Sequence, residues 1–582
     1  MALTHSEASL VSNPMAADVR RSKFTIPHKH LTTGDPYKLY PCYLDMSIMP
    51  GDTVKMRVAT LVRMLTPIAP VLDNCYMDLM FFAVPYRLVW DSFKEFMGED
   101  SNTYWTQPVE KFIPQITPPS TGWNVDSVAD HFEIPSGVSG GSISALPFRA
   151  YARIWNEWFR SESIVQPVSI SLGDAGVTGT NGTWTTYIAD GSLGGEPLRV
   201  ARYHDIFTSA LQQPQAGLSV ELPINGFAPV FPTSKTEFTI KSQNWYTDIG
   251  AQTMTFGTKV PNPSVTSLTN ADYYPDLSVS GAHNVVTNGP DAGYNTTAGT
   301  QSYVSGINPN NLVADLNNIN GSGITITALR QAFALQRLLE TVNRGSRYIE
   351  IIKNCFNITS PDARMQRTEL LSAVRLPINM AEINQTSSTD STSPLGTPGA
   401  NSKTYGEYDD LFTYSATEHC MIIGLWCIRN NSTLTARGIN PFWRKKDRFS
   451  FYWPQLEGLS DMPIPNSSLF WQDDSITDSD GNVINDLPFG YSEPWAEYRS
   501  NPDAVTGMFR PYVNQTLGTA WTYVSNFTQL PTLSRDFLYP DGSEITSTLA
   551  INNQPAFRAD FYFDPVYVRP MPVYSVPGLT RL

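Results

Sequence analysis

Hydrophobic and polar residues follow two rhythms along this chain, and a long stretch between them follows neither. Behind the turn residues Pro50-Gly51-Asp52, Val54, Met56 and Val58 alternate with Lys55 and Arg57, the period of two that marks a strand with one wet face. The run at 79–84, LMFFAV, is apolar throughout and stops at Pro85, which predicts a short strand buried on both faces. Val89, Phe93, Phe96 and Met97 then fall on one face of a short amphipathic helix. At 147–160 a second helix is predicted, with Phe148, Tyr151, Ala152, Trp155, Trp158 and Phe159 as its apolar stripe. Arg149, Arg153, Asn156, Glu157 and Arg160 lie on its other side, and Pro147 suits the first helical position. Leu335, Leu338, Leu339 and Val342 share a face of a third helix ending near Gly345. The apolar run at 420–428 predicts another buried strand. Near the C-terminus Phe557, Ala559, Phe561 and Phe563 alternate with Arg558, Asp560, Tyr562 and Asp564.

Between these periodic segments lie polar ones. Residues 161–230 are rich in Gly, Ser and Thr, with short β-like pieces (TWTTYIA, LSVEL), and a further polar loop runs from 384 to 403. The largest excursion spans 231–323, and residues 260–329 contain no Lys or Arg. The expected organisation is an N-terminal arm (1–49), a β core in two parts (50–230 and 324–582) and a polar insertion between them (231–323). The two strongest alternating strands sit at opposite ends of the chain. One β-barrel or sandwich with greatly enlarged connections therefore fits better than a string of domains.

Composition sharpens this picture. Aromatics at 12 % and charged residues at 16 % are the reverse of a disordered chain. The 44 Pro and 38 Gly are spread along the sequence, which shortens helices and suits a loop-rich, mainly β protein. A net charge of −14 argues against a simple nucleic-acid binder and leaves room for local basic patches. The cysteines (Cys42, Cys75, Cys355, Cys420, Cys427) are odd in number and form no CxxC pair, so no disulfide framework is expected. The first residues lack the pattern of a secretory signal, and no apolar run reaches the ~18 residues of a membrane span. The expectation is a chain made and folded in a cytoplasm, with no membrane insertion.

Candidate chemistry is sparse. The phosphate-loop, dinucleotide, metalloprotease and nucleophile-elbow motifs are absent. The histidines (His5, His28, His30, His131, His204, His283, His419) are too dispersed to suggest a triad. His28 and His30 form an HxH pair without a third ligand nearby in sequence, so no metal is expected, and no cofactor or catalytic residue. Two segments carry clustered cations. One is 18–30, DVRRSKFTIPHKH, where Arg20, Arg21 and Lys23 suit phosphate, a neighbouring subunit or a solvated terminus. The other is 437–453, RGINPFWRKKDRFSFYW, where Arg444, Lys445, Lys446 and Arg448 interleave with Phe442, Trp443, Phe449, Tyr452 and Trp453. Cations that track phosphate and rings that stack on unpaired bases hold single strands. The competing reading is a strand with a basic exposed face and an aromatic buried one.

Six blocks, in order, resemble one family. They are PGDTVKMRVATLVRMLTPIAPVLDNCYMDLMFFAVPYRLVWDSFKEFMGE (50–99), YARIWNEWFRSESIVQPV (151–168), YHDIFTSALQQPQAG (203–217), LRQAFALQRLLETVNRGSRYIEIIKNCFNITSPDARMQRTELL (329–371), GYSEPWAEYRSNPDAVTG (490–507) and MPVYSVPGL (571–579). Together they are similar to the major capsid proteins of the Microviridae, especially the gokushovirus branch of these bacteriophages. The resemblance implies a single viral β-jelly-roll barrel with long inserted loops, several short helices and a large polar insertion. It also implies no catalysis and a T=1 icosahedral shell of sixty copies around circular single-stranded DNA, assembled in a bacterial host. The insertion is implied to project as a protrusion that meets a host surface receptor. A small basic internal DNA-binding protein is an implied partner. The resemblance raises Arg444, Lys445, Lys446 and Arg448, or Arg20, Arg21 and Lys23, as inward DNA contacts without identifying them one by one. A Trp-rich sandwich that binds or cleaves carbohydrate is the other class, favoured by an export signal and a positioned carboxylate pair. The sequence carries neither.

Overall fold

In a computed structural model, residues 20–99, 110–220, 325–384, 386, 395–396, 398–551 and 553–574 are described, with backbone strands alone between 226 and 321. The principal strands are β1 (Ser22–Thr25), β2 (His28–Gly34), β3 (Tyr40–Ile48), β4 (Thr53–Met64), β5 (Cys75–Pro85), β6 (Glu369–Pro377), β7 (Thr404–Ser415), β8 (Cys420–Asn430), β9 (Phe557–Phe563) and β10 (Val566–Arg569). A six-stranded sheet runs β1-β10-β4-β9-β2, with β7 also paired to β4, and a four-stranded sheet runs β6-β5-β8-β3. All these pairings are antiparallel.

β4 alternates as its sequence predicts: Val54, Met56, Val58, Val62 and Met64 are buried, while Lys55, Arg57 and Arg63 are exposed. Its entry is the expected turn, with Gly51 at φ +87°, a conformation a side chain would strain. β9 alternates in the same way and lies against β4, Phe561 opposite Thr60, so the two ends of the chain close one sheet. Burying Phe557, Phe561 and Phe563 contributes about 2 kcal/mol each before chain entropy is counted.

β5 and β8 read as continuous apolar runs because both of their faces are covered. Met77, Leu79 and Phe81 of β5, with Ile422, Trp426 and Ile428 of β8, join β4 and β9 in one core. Phe82 and Val84, with Met421, Ile423, Leu425 and Cys427, join Phe148, Tyr151 and Trp155 in a second. The four-stranded sheet is thus a middle layer between the six-stranded sheet and a layer of helices and loops. Burial pushes the Cys420 and Cys427 thiols up to about 12, and all five cysteines are free.

The helical layer begins with α1 (Phe93–Phe96), α2 (Val128–His131) and α3 (Leu146–Ile154), the last continuing as a π turn through Trp155–Phe159. Phe148, Tyr151, Ala152 and Trp155 are buried as their stripe predicts. Arg149 is a correction. It was expected on the wet side and is 2 % exposed, because its guanidinium donates to the carbonyls of Val89 and Gly173 at 3.3 and 3.0 Å. The TWTTYIA piece is also not β. Trp184–Thr186 and Tyr187–Asp190 are helical turns, set by a capping box in which the Thr186 hydroxyl receives the Thr183 N–H at 3.1 Å. Trp184 and Tyr187, three apart, then stack 4.9 Å apart inside the second core. Of the LSVEL piece, 218–220 form no strand and the rest lies outside the described residues. Two further helices follow, α4 (Ile326–Asn343) and α5 (Tyr348–Phe356).

The chain divides into two compact units, 1–218 with 338–582, and 219–337. Within the second unit the backbone forms small antiparallel sheets: Val230–Pro232 with Leu312–Ala314, Glu237–Ile240 with Gln252–Phe256 and Leu277–Val279, and Asn284–Thr287 with Ala292–Asn295 and Gln301–Tyr303. No helix among the described residues is long and apolar enough to cross a membrane.

Candidate nucleic-acid interface

The basic and aromatic segment after β8 is a chain of single turns and not a strand. Asn440 caps Pro441–Arg444 by accepting the Phe442 N–H at 3.0 Å, and Asp447 caps Arg448–Ser450 by accepting the Ser450 N–H at 2.8 Å. Pro454 then opens the turn Pro454–Leu456. Prolines and side-chain caps this close together leave no extended run to pair, so neither face becomes a sheet face.

Within these turns the four candidate cations separate into two kinds. The Arg444 side chain is 15 % exposed and bridges Asp474 at 3.1 Å and Asp486 at 2.8 Å. The hydrogen bond to Asp486 holds its guanidinium above the usual range. The Lys445 side chain is 6 % exposed, pairs with Glu497 at 2.9 Å and donates to the Ser450 carbonyl. Its ammonium also lies 4.6 Å from the Phe442 ring centre, 4.7 Å from Tyr498 and 5.6 Å from Trp495. Both cations are neutralised inside the subunit. Lys446 and Arg448 are exposed and form no ion pair among the described residues, and Arg448 lies 4.6 Å over the Phe449 ring.

The rings around them face solvent. Trp443 is 82 % exposed and Phe449 61 %, with Phe451, Tyr452 and Trp453 also exposed. Behind the segment opens a cavity of about 440 Å³ bordered by Asn440, Arg444, Lys445, Phe449, Trp495 and Arg510. A surface of exposed rings with two unpaired cations can stack unpaired bases and meet phosphate, or pack against another protein surface. Trp495, Glu497 and Tyr498, which complete the Lys445 cage, were invisible as partners in the sequence. They lie in the block 490–507, which stood out only by resemblance.

The other candidates sit on or beside β1. Arg20, Arg21 and Lys23 are exposed and form no ion pair among the described residues. Lys23 faces Val568 across the β1–β10 pairing, and Phe24 turns inward onto the core between the two sheets. These cations are therefore carried on a paired strand, and β1, β2 and β3 extend the sheets into the segment before residue 50. Among the described residues the one His/Cys/Asp/Glu group that could hold a metal ion is His28, His30 and Glu133.

The comparisons with known proteins agree with one another. The model of the phage capsid protein (F protein) family matches residues 12–579. The chain is 35 % identical to capsid protein VP1 of Chlamydia phage 1, over 97 % of both chains. It is also 35 % identical to capsid protein VP1 of Spiroplasma virus 4, over 97 % of this chain and 96 % of that one. With capsid protein VP1 of Bdellovibrio phage phiMH2K the identity is 32 %, over 99 % and 98 %.

Proposed function

The chain belongs to the phage capsid protein (F protein) family as a capsid protein of the Microviridae type, and from that premise we propose that sixty copies close into a T=1 icosahedral shell around a circular single-stranded DNA genome. The observation that carries this reading is the match over nearly the whole chain and nearly the whole of each relative. In this proposal the two sheets form the jelly roll that tiles the shell, and closed symmetry gives exposed rings and edge strands their partners.

The genome meets the inner face through Lys446 and Arg448 and the neighbouring rings, with Arg20, Arg21 and Lys23 as a second contact. Arg444 and Lys445 have a different role: their carboxylate partners are already in place, so they shape the surface that the free pair presents. A small basic internal protein supplies further neutralisation. The insertion, expected at 231–323 and nearly free of cations, projects outward and meets a host surface receptor. The virion is assembled in the host cytoplasm.

Electron microscopy of the expressed, tag-free chain, alone and with its phage partners, tests the shell. Uniform small icosahedra containing nuclease-protected single-stranded DNA are expected. A persistent monomer with glycan affinity would overturn the reading in favour of a carbohydrate-binding sandwich. Deleting 231–323 should leave shells and abolish infection; failure to form shells would make the insertion an assembly contact.

A further inference from the structure

His28 and His30 sit two apart on β2, an edge strand of the six-stranded sheet, and so point to the same side. Glu133 reaches them from the turn after α2, where its own backbone is left-handed at φ +65°. Glu133 Oε1 lies 2.7 Å from His28 Nε2 and 3.8 Å from His30 Nδ1. One ligand atom from each residue falls within 4.8 Å of the other two. Around a tetrahedral ion with nitrogen and oxygen ligands at about 2.0–2.1 Å, neighbouring ligand atoms are about 3.3 Å apart. Small rotations of the exposed Glu133 side chain and of the part-exposed His28 ring would bring the three ligand atoms to that spacing. From this geometry we propose that His28, His30 and Glu133 bind a divalent cation of the zinc class, tying β2 to the segment that follows α2.

The neighbours of the three side chains define which atoms are free to ligate. His30 Nδ1, the nitrogen that faces Glu133, also donates to the Cys42 carbonyl at 2.9 Å, a bond that orients the ring and that an ion on Nδ1 would replace. The His28 ring lies nearly parallel to Phe563, 6.3 Å between centres, and edge-on to Tyr43 at 6.4 Å. His131 is also close but is not free to ligate. Its Nδ1 is bonded to the Thr32 hydroxyl at 3.1 Å and its Nε2 to Asp126 at 3.0 Å. Lys29, between the two ligand histidines, points to the opposite side and pairs with Asp560 at 3.1 Å. Two imidazoles and one carboxylate suit zinc and its neighbours among the transition metals better than calcium, which requires more oxygen ligands. At least one coordination position stays open for water.

The alternative is a metal-free His28–Glu133 ion pair, and a titration separates the two. Tag-free protein is stripped with a chelator and titrated calorimetrically with zinc chloride near neutral pH. One ion per chain is expected, with Glu133→Gln and His28→Ala each weakening binding by about tenfold or more. Glu133 is exposed, so Glu133→Gln keeps the fold, as an unchanged circular dichroism spectrum would verify. Cobalt loaded into the same site should give the visible absorption of a low-coordinate nitrogen and oxygen ligand set, lost in both variants. Absence of stoichiometric zinc binding, or binding equally tight in all three proteins, would overturn the proposal.

Discussion

Around Asp78 on β5, Arg375 arrives from β6 as its direct cross-strand partner, and Arg429 arrives from β8 on the other side. Tyr203 donates its hydroxyl to the same carboxylate at 3.0 Å, and its ring lies 4.1 and 4.2 Å from the two guanidinium carbons. Between 441 and 453 the same residue types, cations and aromatic rings, make an exposed surface. The difference lies in where the acids are. Strand register delivers a buried carboxylate to Arg375 and Arg429, so both cations are paired and three strands are held together, although Arg375 itself stays half exposed. In the loop, carboxylates at 474, 486 and 497 reach Arg444 and Lys445 and stop there. Cation and aromatic interleaving therefore identifies neither a structural centre nor a binding surface until the acids are located.

The largest expected effect is at the Asp78 centre. Asp78→Asn should lower stability by about 3 kcal/mol, because Arg429 is left largely buried without its charged partner, while the half-exposed Arg375 can turn to water. Urea denaturation of unassembled subunits measures this, and a loss below about 1 kcal/mol would remove the centre from the structural account. Lys445→Met should cost less, about 2 kcal/mol, since Glu497 keeps partial access to water. If Lys445→Met left stability unchanged and instead lowered DNA content, Lys445 would move to the binding class. Lys446→Ala with Arg448→Ala should change stability by no more than about 0.5 kcal/mol. The same pair should lower the slope of single-stranded DNA affinity against log salt by about 1.4, at ~0.7 per phosphate contact. An unchanged slope and full-density particles would take both residues off the DNA surface.

The smallest effect concerns an exposed counterpart of Asp78. Asp174 accepts hydrogen bonds from Lys111 and Trp90, both at 2.7 Å, and the Lys111 contact foremost holds its carboxyl down to about 2. The folded value lies below the unfolded one, so the contribution is present above about pH 4 and disappears as the pH falls towards 2. It is modest because the pair is partly in water. Asp174→Asn should lower stability slightly above about pH 4 and leave it unchanged near pH 2, which flattens the acid limb of a stability-against-pH curve between those values.

Much of the framework was legible in the residues. β4 and β9 announced themselves by a period of two, and β5 and β8 by runs with no wet face, because a strand's pattern of burial is written in its own consecutive side chains. The apolar stripe of α3 was legible for the same reason. Its buried Arg149 was not, since the carbonyls that satisfy it belong to residues 89 and 173. The turns at 183–190 were misread as β because Trp, Thr and Tyr favour strands, and the capping box that overrode that preference is a local competitor of equal strength. In the 437–453 segment the residue types were plain, and their division into neutralised and free cations was not.

By itself the sequence determined the strand rhythms, the lack of any disulfide pattern, the acidic balance and the blocks that resemble phage capsid proteins. These depend on composition and on neighbours within a few residues. The tertiary structure alone decided that the first and last strong strands are adjacent, that Asp474, Asp486 and Glu497 silence two of four cations, and that Glu133 stands beside His28 and His30. Each of these is a meeting of side chains well separated along the chain. A partner of that kind has no local signature, because Coulomb attraction and ligand geometry act over a few ångströms of space, and only the closed fold sets those distances.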